Sequence, residues 1–282
     1  MKRAHPLTRI LRTTTFTAIA GMGLLAVFQS RFLYFPNTYA PEHTAAFLES
    51  GGERLEFTTS QGSQTAWLRR PAQDAVPGRV WIVTAGNGSI ALDFDRLPEQ
   101  SGMLQDAFVF IDYPGYGLCQ GKPHPSTIKE SLQALGPLIS ERCKLAPGGL
   151  AAKGIVWGHS LGAAVALMAA EEYGIRSAVL LSPFTSTMDM TKTVFGVPLG
   201  FIVTHRFDNE PNLAGLIKRQ GKAWILHGSA DEVIPVRMGK QLADSGGAAV
   251  HFQEIPGARH NTLMREALRP IVQAMESARR LE

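Results

Sequence analysis

A chain of 282 residues, 45% apolar, 18% charged and holding two cysteines, has ample material for a large core; disordered tails, collagen-like fibres and disulfide scaffolds are excluded. Its formal charge of +4 is local: residues 1–31 contain Lys2, Arg3, Arg9, Arg12 and Arg31 and no acid, leaving 23 basic residues against all 24 acidic ones downstream. The body is therefore electrostatically neutral, and nucleic acid is not an expected partner.

Residues 13–30 carry no charge. As a helix they would span roughly 27 Å, close to the thickness of a hydrocarbon core. Four basic residues precede the stretch, and Phe32, Tyr34 and Phe35 follow it as an interfacial aromatic belt would. The segment 1–31 is expected to be a membrane anchor with its start in the cytoplasm. A cleaved signal peptide is the competing reading, on the small-residue pattern Ala18-Ile19-Ala20, although the apolar run before it is short. An amphipathic helix fits less well, since the segment has no charged face. The first two readings put the body on the non-cytoplasmic side, the periplasm in a bacterium.

Residues 32–49 are expected to be a linker. From residue 50 onward, strand and helix patterns alternate. Arg54–Thr59 and Thr65–Arg69 read as a hairpin around a Gln-Gly-Ser turn. Short apolar runs follow at 79–84, 107–112, 154–158, 177–181, 223–226 and 250–255. Runs this apolar suit strands buried on both faces of a mostly parallel sheet. Helices are predicted over 126–143, 160–173, 211–220, 236–245 and 261–279. The expected fold is a three-layer α/β domain over 50–282, with about eight strands covered by helices. The forty residues at 182–222 exceed a simple crossover and are either a small lid or one decorated crossover helix. The predicted helix 126–143 would carry Cys143 away from Cys119, so no disulfide is expected.

Gly158-His159-Ser160-Leu161-Gly162 has the form G-x-S-x-G, between a predicted strand and a small-residue helix. A nucleophile elbow needs that setting, because bulky residues two positions either side of the serine would clash in so tight a turn. Serine needs a base. Of eight histidines, His260 lies after the last strand and before the last helix, at the sheet edge expected for Ser160. His251 lies within the last strand, and His227 ends a strand where a turn role is expected. Asp231 is the expected carboxylate that orients His260, with Glu232 and Asp189 as rivals. Its alternative role is a helix cap. The oxyanion donors are expected to be the Leu161 N–H and the Asn87 N–H, with Gly86 or Gly88 as substitutes for Asn87. No phosphate loop, dinucleotide fingerprint or metal-ligand spacing occurs, so neither cofactor nor metal is expected.

These residues resemble the α/β-hydrolase superfamily of serine hydrolases over about 50–282. The resemblance rests on Gly158–Gly162, Asp112-Tyr-Pro-Gly-Tyr-Gly117, His227-Gly-Ser-Ala-Asp231 and Arg259-His260. Ala85-Gly86-Asn87 is similar to a His-Gly-Asn segment of many members, with Ala85 in place of histidine. Leu33–Pro36 together with Asp112–Gly117 resembles a branch of single-anchor membrane hydrolases related to depalmitoylases and lipid hydrolases. The resemblance implies a small or lipid-like acyl ester or thioester as substrate. The alternatives are a serine peptidase of the same fold and a non-catalytic membrane-anchored binding protein.

Overall fold

The computed structural model describes residues 16, 21, 23, 24, 26, 28–71 and 75–281. Most of the expected anchor lies outside the described residues. Among the described residues no helix is long and apolar enough to cross a membrane. Residues 28–33 are helical and lead into the body.

The strands are β1 (Glu53–Thr59), β2 (Gly62–Arg69), β3 (Val80–Thr84), β4 (Ala107–Ile111), β5 (Gly154–His159), β6 (Ser177–Leu181), β7 (Lys222–Gly228) and β8 (Val250–Ile255). They form one eight-stranded sheet in the order β1-β2-β4-β3-β5-β6-β7-β8. The first two ladders are antiparallel and the rest parallel. The hairpin turn is Ser60-Gln61, earlier than the expected Gln-Gly-Ser, and β2 begins at Gly62.

Alternation along each strand splits the core into two faces. In β3, Val80 and Ile82 pack on one side, with α3 (Pro125–Arg142), α5 (Leu161–Tyr173), α7 (Asn209–Lys218) and α8 (Val236–Gly246). Trp81 and Val83 pack on the other, with α1 (Pro41–Glu49) and α10 (Leu268–Arg279). Short helices α2 (Leu97–Ser101), α4 (Gly149–Lys153), α6 (Thr187–Phe195) and α9 (Leu263–Glu266) complete the layers. Asp106 ties the far edge together: it accepts from Arg279 Nε at 2.7 Å and from Trp81 Nε1 at 3.0 Å.

Three further expectations change. The stretch 32–49 carries α1, whose Phe47 is buried beneath the sheet edge, so it is packed structure as well as a link. The helix expected over 261–279 breaks at Ala267, because Pro270 has no N–H to donate and is accommodated only in a first turn. Likewise α7 starts at Asn209, ahead of Pro211, for the same reason. Both cysteines are free and buried.

Candidate active site

The strand–turn–helix at 154–173 brings Ser160 to the carboxyl edge of the sheet. Ser160 has φ 58° and ψ −121°, a strained conformation for a residue with a side chain. The flanking glycines make it achievable. A Cβ at Gly158 would lie 2.3 Å from the Gly162 carbonyl oxygen, and one at Gly162 would lie 2.1 Å from that of Thr84. Thr84 Oγ1 fastens the turn by donating to the Gly162 carbonyl at 2.7 Å.

Two further side chains converge on the serine. His260 Nε2 lies 3.0 Å from Ser160 Oγ, although the residues are 100 positions apart. His260 Nδ1 lies 2.8 Å from Asp231 Oδ2. The carboxylate cannot donate, so Nδ1 carries the proton and Nε2 is left to accept from the serine hydroxyl. Asp231 Oδ1 accepts the backbone N–H groups of Val233 at 3.0 Å and Ile234 at 2.7 Å. Burial works against its charge, but the His227 N–H, the His260 hydrogen bond and attraction, and the Ile234 N–H outweigh burial and hold the carboxyl well below the usual range.

Of the rivals, Asp189 is engaged by the hydroxyls of Thr185 and Ser186. Glu232 accepts from Arg259 at 2.9 Å and from the His260 backbone N–H at 3.3 Å, supporting the loop but not the imidazole. His251 stacks on Trp224 at the last strand, away from Ser160.

His227 does more than end a strand. Its Nε2 lies 2.8 Å from the Ile234 carbonyl oxygen and 3.3 Å from Asp231 Oδ2, closing the turn that carries the carboxylate. The only sequence signal for this is its spacing of four residues from Asp231. His159 packs its ring 4.9 Å from that of His260. Burial, with repulsion from His260, pushes its pKa down to about 4, so it is neutral beside the other imidazole.

The loop after β3 also approaches Ser160. A Cβ at Gly86 would come within 3.7 Å of Ser160 Cβ. Asn87 and Leu161 line the same cavity as Ser160. Leu161 is the first residue of α5, where an N–H has no partner within the helix.

The cavity holds about 320 Å³ and is walled by Leu33, Phe184, Met190, Leu199, Ile202 and Val203 among others. Phe32, Phe35, Val194 and Phe195 form its rim and remain exposed. One wall comes from an excursion between Ser186 and Asp208, which pair through an isolated antiparallel bridge. The excursion contains α6 and a 3₁₀ turn, Gly200–Ile202. Within the stretch 182–222, residues 187–207 line one side of the cavity and α7 leads on to β7. Gln29, from the helical stretch 28–33, accepts from the Thr204 backbone N–H, 2.8 Å away. Among the described residues no group of His, Cys, Asp or Glu is arranged to hold a metal ion.

Residues 76–227 match the model of the alpha/beta hydrolase family. An uncharacterized protein of Mycobacterium tuberculosis is 24% identical over 258 residues, covering 90% of this chain and 89% of the relative. Human alpha/beta hydrolase domain-containing protein 17B is 29% identical over 154 residues, covering 53% of this chain and 49% of the relative. Among solved structures, a Pyrococcus furiosus esterase superposes with a TM-score of 0.64 at 16% identity, covering 87% of this chain and 98% of the other. A Rhodococcus esterase superposes with a TM-score of 0.58 at 15% identity, covering 81% and 99%.

Proposed function

The chain belongs to the alpha/beta hydrolase family, and on that premise we propose that it is a serine hydrolase cleaving carboxylic ester or thioester bonds of acyl substrates. The observation that carries this is the chain of contacts from Asp231 Oδ2 through His260 to Ser160 Oγ, at 2.8 Å and 3.0 Å, opening on an apolar cavity. Ser160 Oγ attacks the acyl carbonyl while His260 Nε2 takes its proton. The oxyanion is held by the Asn87 and Leu161 N–H groups. His260 then gives the proton to the leaving alcohol or thiol, and the acyl group stays on Ser160. Water, deprotonated by His260, attacks the acyl-enzyme and restores the serine.

Each neighbour has a part in the electrostatics. Asp231 stays ionised through the neutral range and stabilises the imidazolium. His159 stays neutral, so it adds no second positive charge when His260 is protonated. The apolar walls favour an acyl chain over the polar flanks of a peptide bond. A fluorophosphonate probe tests the proposal. Wild type should be labelled and Ser160→Ala should not; an unlabelled wild type, or equal labelling of both, removes the catalytic claim.

The uncharged segment 13–30 and its basic flank support an N-terminal anchor that places the hydrolase domain on the non-cytoplasmic side. Retention in the membrane pellet after alkaline carbonate extraction is the expected result, and release into the supernatant would overturn it.

A further inference from the structure

We propose that the segment Leu33–Asn37, acting with Tyr116, is a clamp that holds the 85–88 loop with the Asn87 N–H directed at Ser160, making it a positioning element for the oxyanion. This rests on the serine-hydrolase reading above. Four successive carbonyls of the loop each have an acceptor role. The Ala85 oxygen accepts from Tyr113 Oη at 2.5 Å, and the Gly86 oxygen from Ser89 N–H at 3.2 Å. The Asn87 oxygen accepts from Phe35 N–H at 3.0 Å and from Tyr116 Oη at 2.6 Å. The Gly88 oxygen accepts from Asn37 Nδ2 at 2.6 Å. The Asn87 side chain in turn donates to the Leu33 carbonyl at 3.1 Å.

In a trans peptide unit the C=O and N–H point in opposite directions. Holding the Gly86 carbonyl therefore aims the Asn87 N–H, which shares its plane. The carbonyl and side chain of Asn87 are then fixed from the other flank by residues 33–35 and Tyr116. Asn37 is itself held, since its carbonyl accepts from Gly117 N–H at 2.8 Å. The segment is thus sandwiched between the 85–88 loop and the 112–117 motif. Burial raises the Tyr116 phenol above its ordinary value, so it keeps the proton it donates. Such fixation matters because an oxyanion donor acts through preorganisation rather than through binding the substrate. The stretch 33–37 accordingly supports the reaction centre through the 85–88 loop.

Tyr116→Phe and Asn37→Ala, each in the full chain, test the clamp. Tyr116→Phe removes one oxygen from a buried ring, and Asn37→Ala removes one amide at an exposed site. Turnover of a short-chain ester and affinity for a trifluoromethyl ketone, which forms a tetrahedral adduct with serine, are both measured. A displaced donor should cost roughly tenfold in kcat, a fraction of the loss for deleting an oxyanion-hole donor. Ketone affinity should fall in proportion, with KM within about twofold and Tm nearly unchanged. Unchanged kcat in both variants overturns the clamp. So does a loss confined to KM or to Tm with ketone affinity intact. If Tyr116→Phe fails to fold, Asn37→Ala alone decides. Absence of fluorophosphonate labelling in wild type would instead remove the serine-hydrolase reading.

Discussion

Asp231→Asn is the substitution in which geometry and tautomer chemistry make the sharpest demand. Asparagine keeps the Oδ1 acceptor for the Val233 and Ile234 N–H groups, so the turn retains its shape. On the other side an amide N–H₂ replaces the oxygen that faces His260 Nδ1 at 2.8 Å. Two donors cannot share that contact, so the imidazole shifts its proton to Nε2. It then presents an N–H, instead of a lone pair, to Ser160 Oγ 3.0 Å away. The base is lost without the site moving. The expected fall in kcat is roughly 10⁴-fold, or about 5.4 kcal/mol of transition-state stabilisation. Labelling by a fluorophosphonate should slow in the same ratio. The new amide also faces His227 Nε2, which lies 3.3 Å from Asp231 Oδ2. That clash should cost about 1–3 kcal/mol of stability, read from a urea midpoint. Glu232→Gln and Asp189→Asn, which do not touch the imidazole, should stay within a few-fold of wild type. Retention of more than a tenth of wild-type kcat by Asp231→Asn would refute the assignment.

Two other outcomes follow from the same geometry. His159 holds its proton only below about pH 4 when folded but below its ordinary 6.5 when unfolded, so stability present above that ordinary value is lost as pH falls toward the lower one. The loss is at most roughly 3 kcal/mol, discounted because the residue keeps partial exposure. His205, also pushed to about 4, adds a smaller share. Urea midpoints across this range should flatten in His159→Phe, and an unaltered slope would disprove the origin. Met190→Trp places an indole in the cavity. It should lower kcat/KM for long-chain esters by at least about tenfold while leaving acetyl esters within a few-fold. An equal loss on both would show that acyl chains do not occupy that wall.

The sheet was readable from the chain because its strands are buried on both faces and appear as short apolar runs. Ser160 was readable because the sterics of its turn write glycine at 158 and 162, and Asp231 and His260 followed from their places after strands. Other parts have no periodic signature. Only Phe47 of α1 is buried, so no apolar stripe marks that helix. The roles of Tyr113, Tyr116 and Asn37 lie in contacts to carbonyls up to 51 positions away, which no local pattern encodes. His227 supports Asp231 through a turn whose shape becomes clear only when the Ile234 carbonyl is seen beside the ring.

The separation of Ser160 from His260 by 100 positions has a consequence in time as well as in space. Translation at about 5–20 residues per second delivers the serine some 5–20 s before the histidine. On the proposed mechanism, Ser160 is without its base throughout that interval. On that mechanism it would not act on acyl groups it meets while still on the ribosome. In the folded chain His260 follows β8, which pairs on its one neighbour, β7, and precedes the closing helices. On the proposed mechanism, hydrolase activity comes late in synthesis, and its onset would report that β8 and His260 are in place.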